Sequence, residues 1–269
     1  MKLSEIYAVA DALAPKRLSD EFCKTYGAYD NSGVLVDTGK DVQKILFTLD
    51  LTNAAVDEAI ETGADLIITH HPMIYGKISD VRVDGVLGGK LVRCIQKGIS
   101  VISMHLNLDV AQGGIDESLM QGVLRAAGDM TGAGTNVSYE HPLSEGAYGR
   151  AYDLPKITLK ALAENMKKEF SCARILTYGD ENKALTRVAS CCGAGGDEAG
   201  VAFALKAGAD ALVSADFKHH VLAMAQDTGL SVIVLTHYAS ENYGFEKYYE
   251  KMRQQVKIPC VYHTDTNLL

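Results

Sequence analysis

Residues 63–72, which read GADLIITHHP, decide the fold of this chain. Leu66 to Thr69 is a short apolar run, typical of a buried strand in a parallel sheet that helices cover on both faces. Two histidines follow directly, and Pro72 then bars continuation of a central strand because it lacks a backbone donor. Ligand sites in α/β sheets lie at the carboxyl ends of strands, and neutral imidazole is the commonest metal ligand in proteins. The stretch therefore points to a metal site, although paired histidines at a strand end can also cap backbone groups.

Strand and helix patterns alternate on both sides of this stretch. An N-terminal helix with apolar residues at helical spacing ends at Pro15. The regular alternation that follows predicts strands over 44–49, 66–69 and 99–104, with helices over 54–61, 86–96 and 115–126. Such alternation indicates a largely parallel sheet. The polar, glycine-containing stretch 128–146 is interpreted as a boundary loop. We therefore expect a first domain over 1–127 and a second over 128–269, with the C-terminal strand able to pack back on the first.

The second half of the chain repeats the pattern of the first. After a strand over 148–152, a helix opening near Thr158 and a strand over 174–177, a strand over 186–190 and a helix over 198–206 lead to GADALVS at 208–214, which echoes GADLIIT at 63–69. GISVI at 98–102 is followed by His105 and Asp109, just as GLSVI at 229–233 is followed by His237 and Glu241. Shared order, residue identity and polar endings indicate an ancient duplication. The predicted fold class is α/β, with two similar domains.

Composition narrows the class of protein. The chain has 269 residues, of which 47% are hydrophobic, and a formal net charge of -8. No apolar run is long enough to span a membrane, and the N-terminus has no signal-peptide core, so we expect a cytoplasmic protein. The acidic balance disfavours nucleic acid as a partner. The six cysteines form no C-x-x-C pair, and we expect mostly buried free thiols.

Histidines and carboxylates gather where the predicted strands end. The four groups are His70-His71, His105 with Asp109, Asp216 with His219-His220, and His237 with Glu241. Mixed imidazole and carboxylate ligands without thiolate suit zinc, manganese, iron or cobalt. Ligands of this kind can hold two divalent ions, with a carboxylate bridging them. Glu241 is the natural bridge because its side chain is longer than that of Asp109.

Three motifs together carry a resemblance to a known family. The strings His70-His71-Pro72, HLNLD at 105–109 and HYASE at 237–241, with DNSG at 30–33 upstream, resemble the NIF-three-like family of dinuclear-metal proteins, often catalogued as GTP cyclohydrolase I type 2 homologues. The resemblance covers about Asp30 to Glu241. It implies two similar three-layer α/β/α domains with the metal site between them, and a homohexamer. It also implies the metal ligands His70, His71, Asp109, His237 and Glu241, with Glu241 shared.

Two departures from the family pattern lie close to these motifs. Ser214-Ala215-Asp216 stands where the family commonly has Thr-Gly-Glu, and Thr236 precedes His237 where glycine is usual. Both changes touch the surroundings of the ligands rather than the ligands. They leave the metal-binding hypothesis intact and weaken any transfer of substrate identity.

Several residues near these motifs have a plainer interpretation beside the functional one. His105 is more typical of a residue that supports a ligand, or of a hydrogen-bonded histidine in the core, than of a ligand itself. Asp216 is placed to cap the helix that begins at His219-His220, and His219 is a candidate general acid or base. The loop CCGAGG at 191–196 favours a tight turn over a phosphate cradle. Residues interpreted as turn or cap residues are Asp50, Asp65, Asp210 and the tetrapeptide 30–33.

Two functions remain open on the sequence alone. The first is a metal-dependent hydrolase whose small-molecule substrate is a nucleotide or another phosphorylated compound, with GTP cyclohydrolase chemistry implied by the resemblance. The second is a non-catalytic metal-binding or assembly protein, in which two ions stabilise the fold or the oligomer. A fold and a metal pair do not select between these functions.

Overall fold

The first sheet forms around the strand that the sequence singles out. In the computed structural model, which describes residues 1–269, Leu66–Thr69 pairs in parallel with the strand before it and with the strand after it. The elements up to residue 110 are α1 (Leu3–Leu13), α2 (Lys16–Tyr26), β1 (Gly33–Val36), β2 (Ile45–Thr48), α3 (Asn53–Thr62), β3 (Leu66–Thr69), α4 (Val86–Lys97), β4 (Ser100–Ser103) and α5 (Leu106–Val110). The C-terminal strand β11 (Cys260–His263) adds to this sheet in parallel with β2, and β1 adds antiparallel to β4. The order is β1-β4-β3-β2-β11.

Both faces of this sheet are buried, as the apolar character of its central strands predicts. Every residue of β2, β3 and β4 is buried. Leu46, Ile67 and Val101 form a core with residues of α3 and α4. Successive strand residues point to opposite faces, and Phe47 accordingly makes ring contacts with Phe245 and two tyrosines of the last helix, α10 (His237–Gln255). The sheet is thus the middle of three layers.

The second sheet has the same central construction. Its elements are α6 (Ile115–Ala126), β5 (Thr135–Pro142), β6 (Ala147–Thr158), α7 (Leu159–Glu169), β7 (Leu176–Tyr178), β8 (Ala184–Ser190), α8 (Glu198–Lys206), β9 (Ala211–Ser214), α9 (His219–Asp227) and β10 (Ser231–Val234). The strand order is β5-β6-β8-β9-β10-β7. Strands β8, β9 and β10 are parallel, while β7 runs antiparallel to β10 as β1 does to β4. Helices α8 and α9 share a core with these strands.

Equivalent hydrogen bonds in the two halves support the duplication. Gly63 and Gly208 follow their helices with φ angles of 71° and 70°. The carboxylate of Asp65 then accepts from the backbone N–H of residue 43 at 2.8 Å, and that of Asp210 accepts from the N–H of residue 186 at the same distance. The carbonyls of these aspartates accept from Ser100 and Ser231 at 2.9 and 3.1 Å. Asp65 and Asp210 therefore have a structural role, as expected, but through hydrogen bonds to residues far earlier in the chain rather than as local turn or cap residues.

Several elements were not predicted from the sequence pattern, and two of them, β5 and α2, show why. The stretch 128–146, interpreted as a loop, contains β5, which pairs antiparallel with β6. That interpretation is wrong because β5 is an edge strand with no fully buried residue, so it carries no apolar run. The second element is α2, which directly follows the helix that ends before Pro15. Proline is acceptable at a helix start because the missing N–H would have no partner within the helix.

The chain forms two compact units. One consists of Met1–Ala111 with Phe245–Thr264, and the other of Gln112–Gly244 with Asp265–Leu269. The boundary between two domains that the sequence places at 127–128 stays a prediction. The C-terminal strand pairs with β2 and so belongs to the first sheet, as considered from the sequence.

Two predictions from composition can be compared with the structure. All six cysteines are free thiols, and the buried ones are Cys94, Cys172, Cys191 and Cys192, so the expected buried thiols are confirmed. No helix combines the length and the apolar character that a membrane span requires.

Because the centre of the first sheet is tightly packed, we expect the free energy of unfolding to fall further as more side-chain atoms are removed there. Ile67 is fully buried in the core formed with α3 and α4. We expect Ile67→Ala to lower the free energy of unfolding by about 3 kcal/mol and Ile67→Val by about 1 kcal/mol, since lost burial and the residual cavity add up. Urea unfolding followed by circular dichroism measures both values. Equal effects of the two substitutions would contradict tight packing at this position.

Candidate metal centre

The two histidines that follow β3 are held by oxygen atoms of the same compact unit. His70 is completely buried, and its Nδ1 lies 2.7 Å from the carbonyl oxygen of Met104. His71 is partly exposed, and its Nδ1 lies 2.8 Å from Oδ1 of Asp50. Asp50, interpreted from the sequence as a turn or cap residue, thus has a further role that the sequence did not show. It fixes the orientation of the His71 ring.

His105 is supported in the same manner by Asp30. Its Nδ1 lies 2.7 Å from Oδ1 of Asp30, a carboxylate that also accepts hydrogen bonds from Ser19 and Ser32. Burial alone would raise the pKa of Asp30, but the hydrogen bonds from His105 and the two serines hold that pKa well below its usual range. Burial likewise disfavours the charged form of His105, yet the bond to Asp30 and the charge of Asp109 leave the His105 pKa raised. The tetrapeptide 30–33 is therefore more than a turn.

The three histidines of the first unit form one group. His70, His71 and His105 each offer a ring nitrogen, and these atoms lie within 4.8 Å of one another. Asp109 joins them, because its Oδ1 lies 3.4 Å from Nε2 of His70. The sequence favoured a supporting role for His105, and the structure instead places it among the possible ligands. The reason is that the chain turns into α5 directly after His105, which brings its ring beside those of His70 and His71.

The second unit carries a pair at the start of α10. Nε2 of His237 lies 3.1 Å from Oε1 of Glu241, one helical turn later, and Glu241 is buried. Nδ1 of His237 lies 2.6 Å from Oδ2 of Asp216. The cap role predicted for Asp216 is wrong: Lys218 occupies the N-cap of α9, and no side chain caps that helix end. Asp216 has a φ angle of 56°, a left-handed conformation that is unusual outside glycine, and it contacts the histidine instead.

The glycine-rich loop after β8 lies directly against this pair. A Cβ atom at Gly193 would come 2.2 Å from Oε1 of Glu241 and 3.3 Å from Nε2 of His237. The φ angle of Gly193 is 56°, and its N–H donates to Oγ of Ser240 at 3.0 Å. The sequence-based interpretation as a tight turn is confirmed. The structure adds that only glycine leaves room for the two candidate ligands.

One arrangement recurs at all four histidines, which are His70, His71, His105 and His237. In each ring, Nδ1 is hydrogen bonded to a carbonyl or carboxylate oxygen. These oxygens can only accept, so each Nδ1 donates to them, and a ring in its neutral form keeps on Nε2 the lone pair that a metal needs. Metal-binding histidines in proteins have this arrangement. The donor set of imidazole nitrogens and carboxylate oxygens therefore fits a divalent cation.

Neither histidine at the start of α9 belongs to these groups. His219 is exposed at the first position of α9. His220 is also exposed, and its Nε2 lies 2.7 Å from Oε1 of Glu198. The role of His219 as a general acid or base stays a prediction.

The sequence missed the carboxylates that hold the histidines. Asp30, Asp50 and Asp216 are far in sequence from the rings that they contact, so no local spacing announces them. A usable signal did exist for Asp50 and Asp216, because each lies just beyond the end of a parallel strand, at the same sheet edge as its histidine.

Fold and site together define a class of protein: an α/β protein with two equivalent sheets and histidine–carboxylate groups at strand ends. The family model described as Duf34/NIF3 (NGG1p interacting factor 3) matches residues 1–267. The chain belongs to this family, which confirms the resemblance seen in the sequence.

Curated relatives carry a common name. A protein of Clostridium perfringens called "GTP cyclohydrolase 1 type 2 homolog" is 30% identical over 260 residues, which cover 95% of this chain and 93% of the relative. A Methanocaldococcus jannaschii protein of the same name is 26% identical over 263 residues, covering 97% of this chain and 98% of the relative.

Solved structures share the fold. The Staphylococcus aureus protein SA1388 is 23% identical, with a TM-score of 0.81 over 100% of this chain and 98% of the other. A Bacillus cereus protein described as related to NIF3 is 22% identical, with a TM-score of 0.77 over 98% and 97% of the two chains. At these identities the likeness concerns the fold alone.

The contact at Gly193 predicts a specific loss of metal binding. We expect Gly193→Ala to lower the affinity for zinc or manganese at least tenfold, because the added Cβ displaces the Glu241 carboxylate. Isothermal titration calorimetry on metal-depleted protein measures this affinity.

Gly208→Ala is the matched control. Gly208 has a φ angle of 70°, and a Cβ there meets nothing within 4 Å. Both variants therefore carry a left-handed alanine, which costs roughly 1–2 kcal/mol, but only one disturbs the candidate ligands. Equal metal affinities in the two variants would show that Gly193 does not support the site.

Proposed function

We propose that this protein is a metal-dependent hydrolase whose substrate is a nucleotide or another phosphorylated small molecule. The observation that carries the proposal is the shared arrangement of the four histidines, each with Nδ1 held by an oxygen, together with the grouping of His70, His71 and His105. The name of the curated relatives supports ring opening of GTP as a specific form of the reaction.

The proposed centre would hold two divalent ions. By the family resemblance, the residues that would hold them are His70, His71, Asp109, His237 and Glu241, with Glu241 as the shared residue. His105 joins this set because its ring belongs to the histidine group of the first unit. The absence of thiolate from the donor set suits zinc, manganese, iron or cobalt. Divalent ions in such a centre supply Lewis-acid activation of water and of a carbonyl or phosphoryl oxygen.

The residues of the chain contribute orientation and electrostatics. Asp30 and Asp50 hold two imidazoles in the tautomer that a ligand needs. Asp216 does the same for His237. The ions would also provide the local positive charge that an anionic substrate requires in a chain with a net charge of -8.

An aromatic wall beside the histidine group favours a substrate with a planar ring. Tyr29 and Tyr75 are 56% and 50% exposed, and their rings meet edge to face with centroids 5.3 Å apart. The hydroxyl of Tyr75 donates to the carbonyl of Tyr29 at 2.9 Å, which fixes the ring. The Tyr75 centroid lies 6.1 Å from that of His105. A purine stacked on this wall would place its ring next to the candidate ligands.

The proposal includes a cytoplasmic homohexamer, as the sequence resemblance implies. The competing role is assembly, in which the ions stabilise the fold or the oligomer without catalysis. The two roles differ in what the loss of one ligand changes. For an enzyme, Glu241→Ala removes turnover, whereas for an assembly protein it lowers thermal stability or dissociates the oligomer.

The deciding experiment combines metal analysis with a substrate screen. The protein is purified with zinc, manganese or iron, its metal content is measured, and GTP, other nucleotides and phosphate esters are offered to wild type and Glu241→Ala. We expect about two ions per chain, turnover in at least one metal form, and loss of that turnover in the variant. The absence of turnover in every metal form, with a lower melting temperature of Glu241→Ala, would replace the hydrolase by the assembly role.

The aromatic wall leads to a prediction on substrate choice. We expect Tyr75→Leu to weaken GTP binding about tenfold, because stacking of a base on an aromatic ring contributes about 1–3 kcal/mol. Equilibrium dialysis measures this on protein loaded with a metal that supports no turnover in the substrate screen. Binding of ribose 5-phosphate, which has no base, should stay unchanged, as should GTP binding to the control Tyr178→Leu, which changes an exposed tyrosine of β7. An equal loss for ribose 5-phosphate would exclude stacking.

A further inference from the structure

A groove of the second unit is lined by none of the candidate metal ligands. It has a volume of about 440 Å³ and runs between α8 and the edge strand β5. Ala199, Ala202 and Phe203 of α8 form an apolar wall, with Lys206 farther along the same helix. Glu140 of β5 lines the groove opposite. Grooves of this volume are within the range that small ligands occupy.

Glu140 is an unusual residue to find here. Only 10% of its side chain is exposed, and the carboxylate packs over Gly149 of β6. A Cβ atom at Gly149 would lie 2.7 Å from Oε2 of Glu140, so the glycine leaves the space that the carboxylate fills. A carboxylate in an edge strand would ordinarily point to water. Here the carboxylate lines the groove and is mostly buried.

No lysine or arginine forms an ion pair with Glu140, although Lys206 lines the same groove. His141 at 3.7 Å is the nearest base. The Cys191 thiol, also at 3.7 Å, donates a weak hydrogen bond. Burial and the nearby charges of Asp197 and Asp116 raise the pKa of Glu140 to about 7. Burial also lowers the pKa of His141, which favours its neutral form.

A buried carboxylate without a cation is costly once it ionises, and a bound cation would remove that cost. The apolar wall limits which cation fits. A hydrated inorganic ion gains nothing from Ala199, Ala202 and Phe203, whereas an organic ammonium ion can bury its carbon atoms there. The face of Phe203 can add a favourable cation–π contact.

We propose that this groove binds a small organic ammonium ion with an apolar body. The ammonium group pairs with Glu140, and the apolar body lies against Ala202 and Phe203. This site is separate from the proposed metal centre and does not depend on its function.

The test uses 2-phenylethylamine as the cationic probe and 2-phenylethanol as its neutral counterpart. Affinities are measured by isothermal titration calorimetry on the full-length protein. We expect the amine to bind wild type at least tenfold more tightly than the alcohol. Glu140→Gln keeps the shape of the side chain and should lose that tenfold preference, while Glu164→Gln, an exposed carboxylate of α7, should keep it.

A second variant tests the position of the ligand. Ala202 is exposed on α8, so Ala202→Phe should fill the groove without disturbing the core. We expect it to abolish binding of the amine. Retention of full affinity in Ala202→Phe or in Glu140→Gln would overturn the proposal, as would equal binding of amine and alcohol to wild type.

The pH dependence supplies an independent readout. The amine stays charged below pH 9, so its affinity should rise with pH as Glu140 ionises and should level off above about pH 7. In Glu140→Gln this rise should vanish. The other titratable or charged groups around the carboxylate are His141 of β5, Cys191 after β8, Asp116 of α6, and Asp197 and Lys206 of the α8 segment. A rise that persists in Glu140→Gln would assign the effect to one of them and contradict the proposal.

Discussion

The candidate site depends on one constraint, the hydrogen bond that fixes Nδ1 of each histidine to an oxygen atom of the chain. At His70 the acceptor is a backbone carbonyl, and at His71, His105 and His237 it is a carboxylate. Because these oxygens accept and never donate, each ring keeps its proton on Nδ1 and turns Nε2 toward the ligand position. The fold must therefore position an accepting oxygen beside each imidazole.

The repeated sheet explains how the fold meets this constraint. In a parallel sheet the carboxyl ends of neighbouring strands meet at one edge, so residues that follow different strands become neighbours. Asp50 follows β2 and His71 follows β3, while Asp216 follows β9 and His237 follows β10. In each half, a carboxylate from one strand end supports an imidazole from the next. Because β9 and β10 correspond to β3 and β4 in the repeat, the two pairings use different strands and are not copies of one another.

Close packing sets a second requirement: two carboxylates fit only because the residue beside each of them is a glycine. Gly193 admits the Glu241 carboxylate, and Gly149 admits that of Glu140. One of these carboxylates belongs to the candidate metal centre, and the other lies in a groove without a cationic partner. Burial of a carboxylate is costly in either place. Each glycine therefore makes room for a carboxylate whose burial does not by itself stabilise the fold.

The sequence by itself determined the α/β class, the strand–helix alternation, the repeat and the histidine motifs, because these depend on local apolar patterns that burial imposes directly. It did not reveal β5, whose exposed edge position removes the apolar pattern, and it assigned Asp216 to a helix cap. Only the tertiary structure decided which carboxylate holds which imidazole and that His105 joins His70 and His71. These contacts join residues that are far apart in the chain, and the spacing of residues along the sequence does not predict the distances between them in the fold.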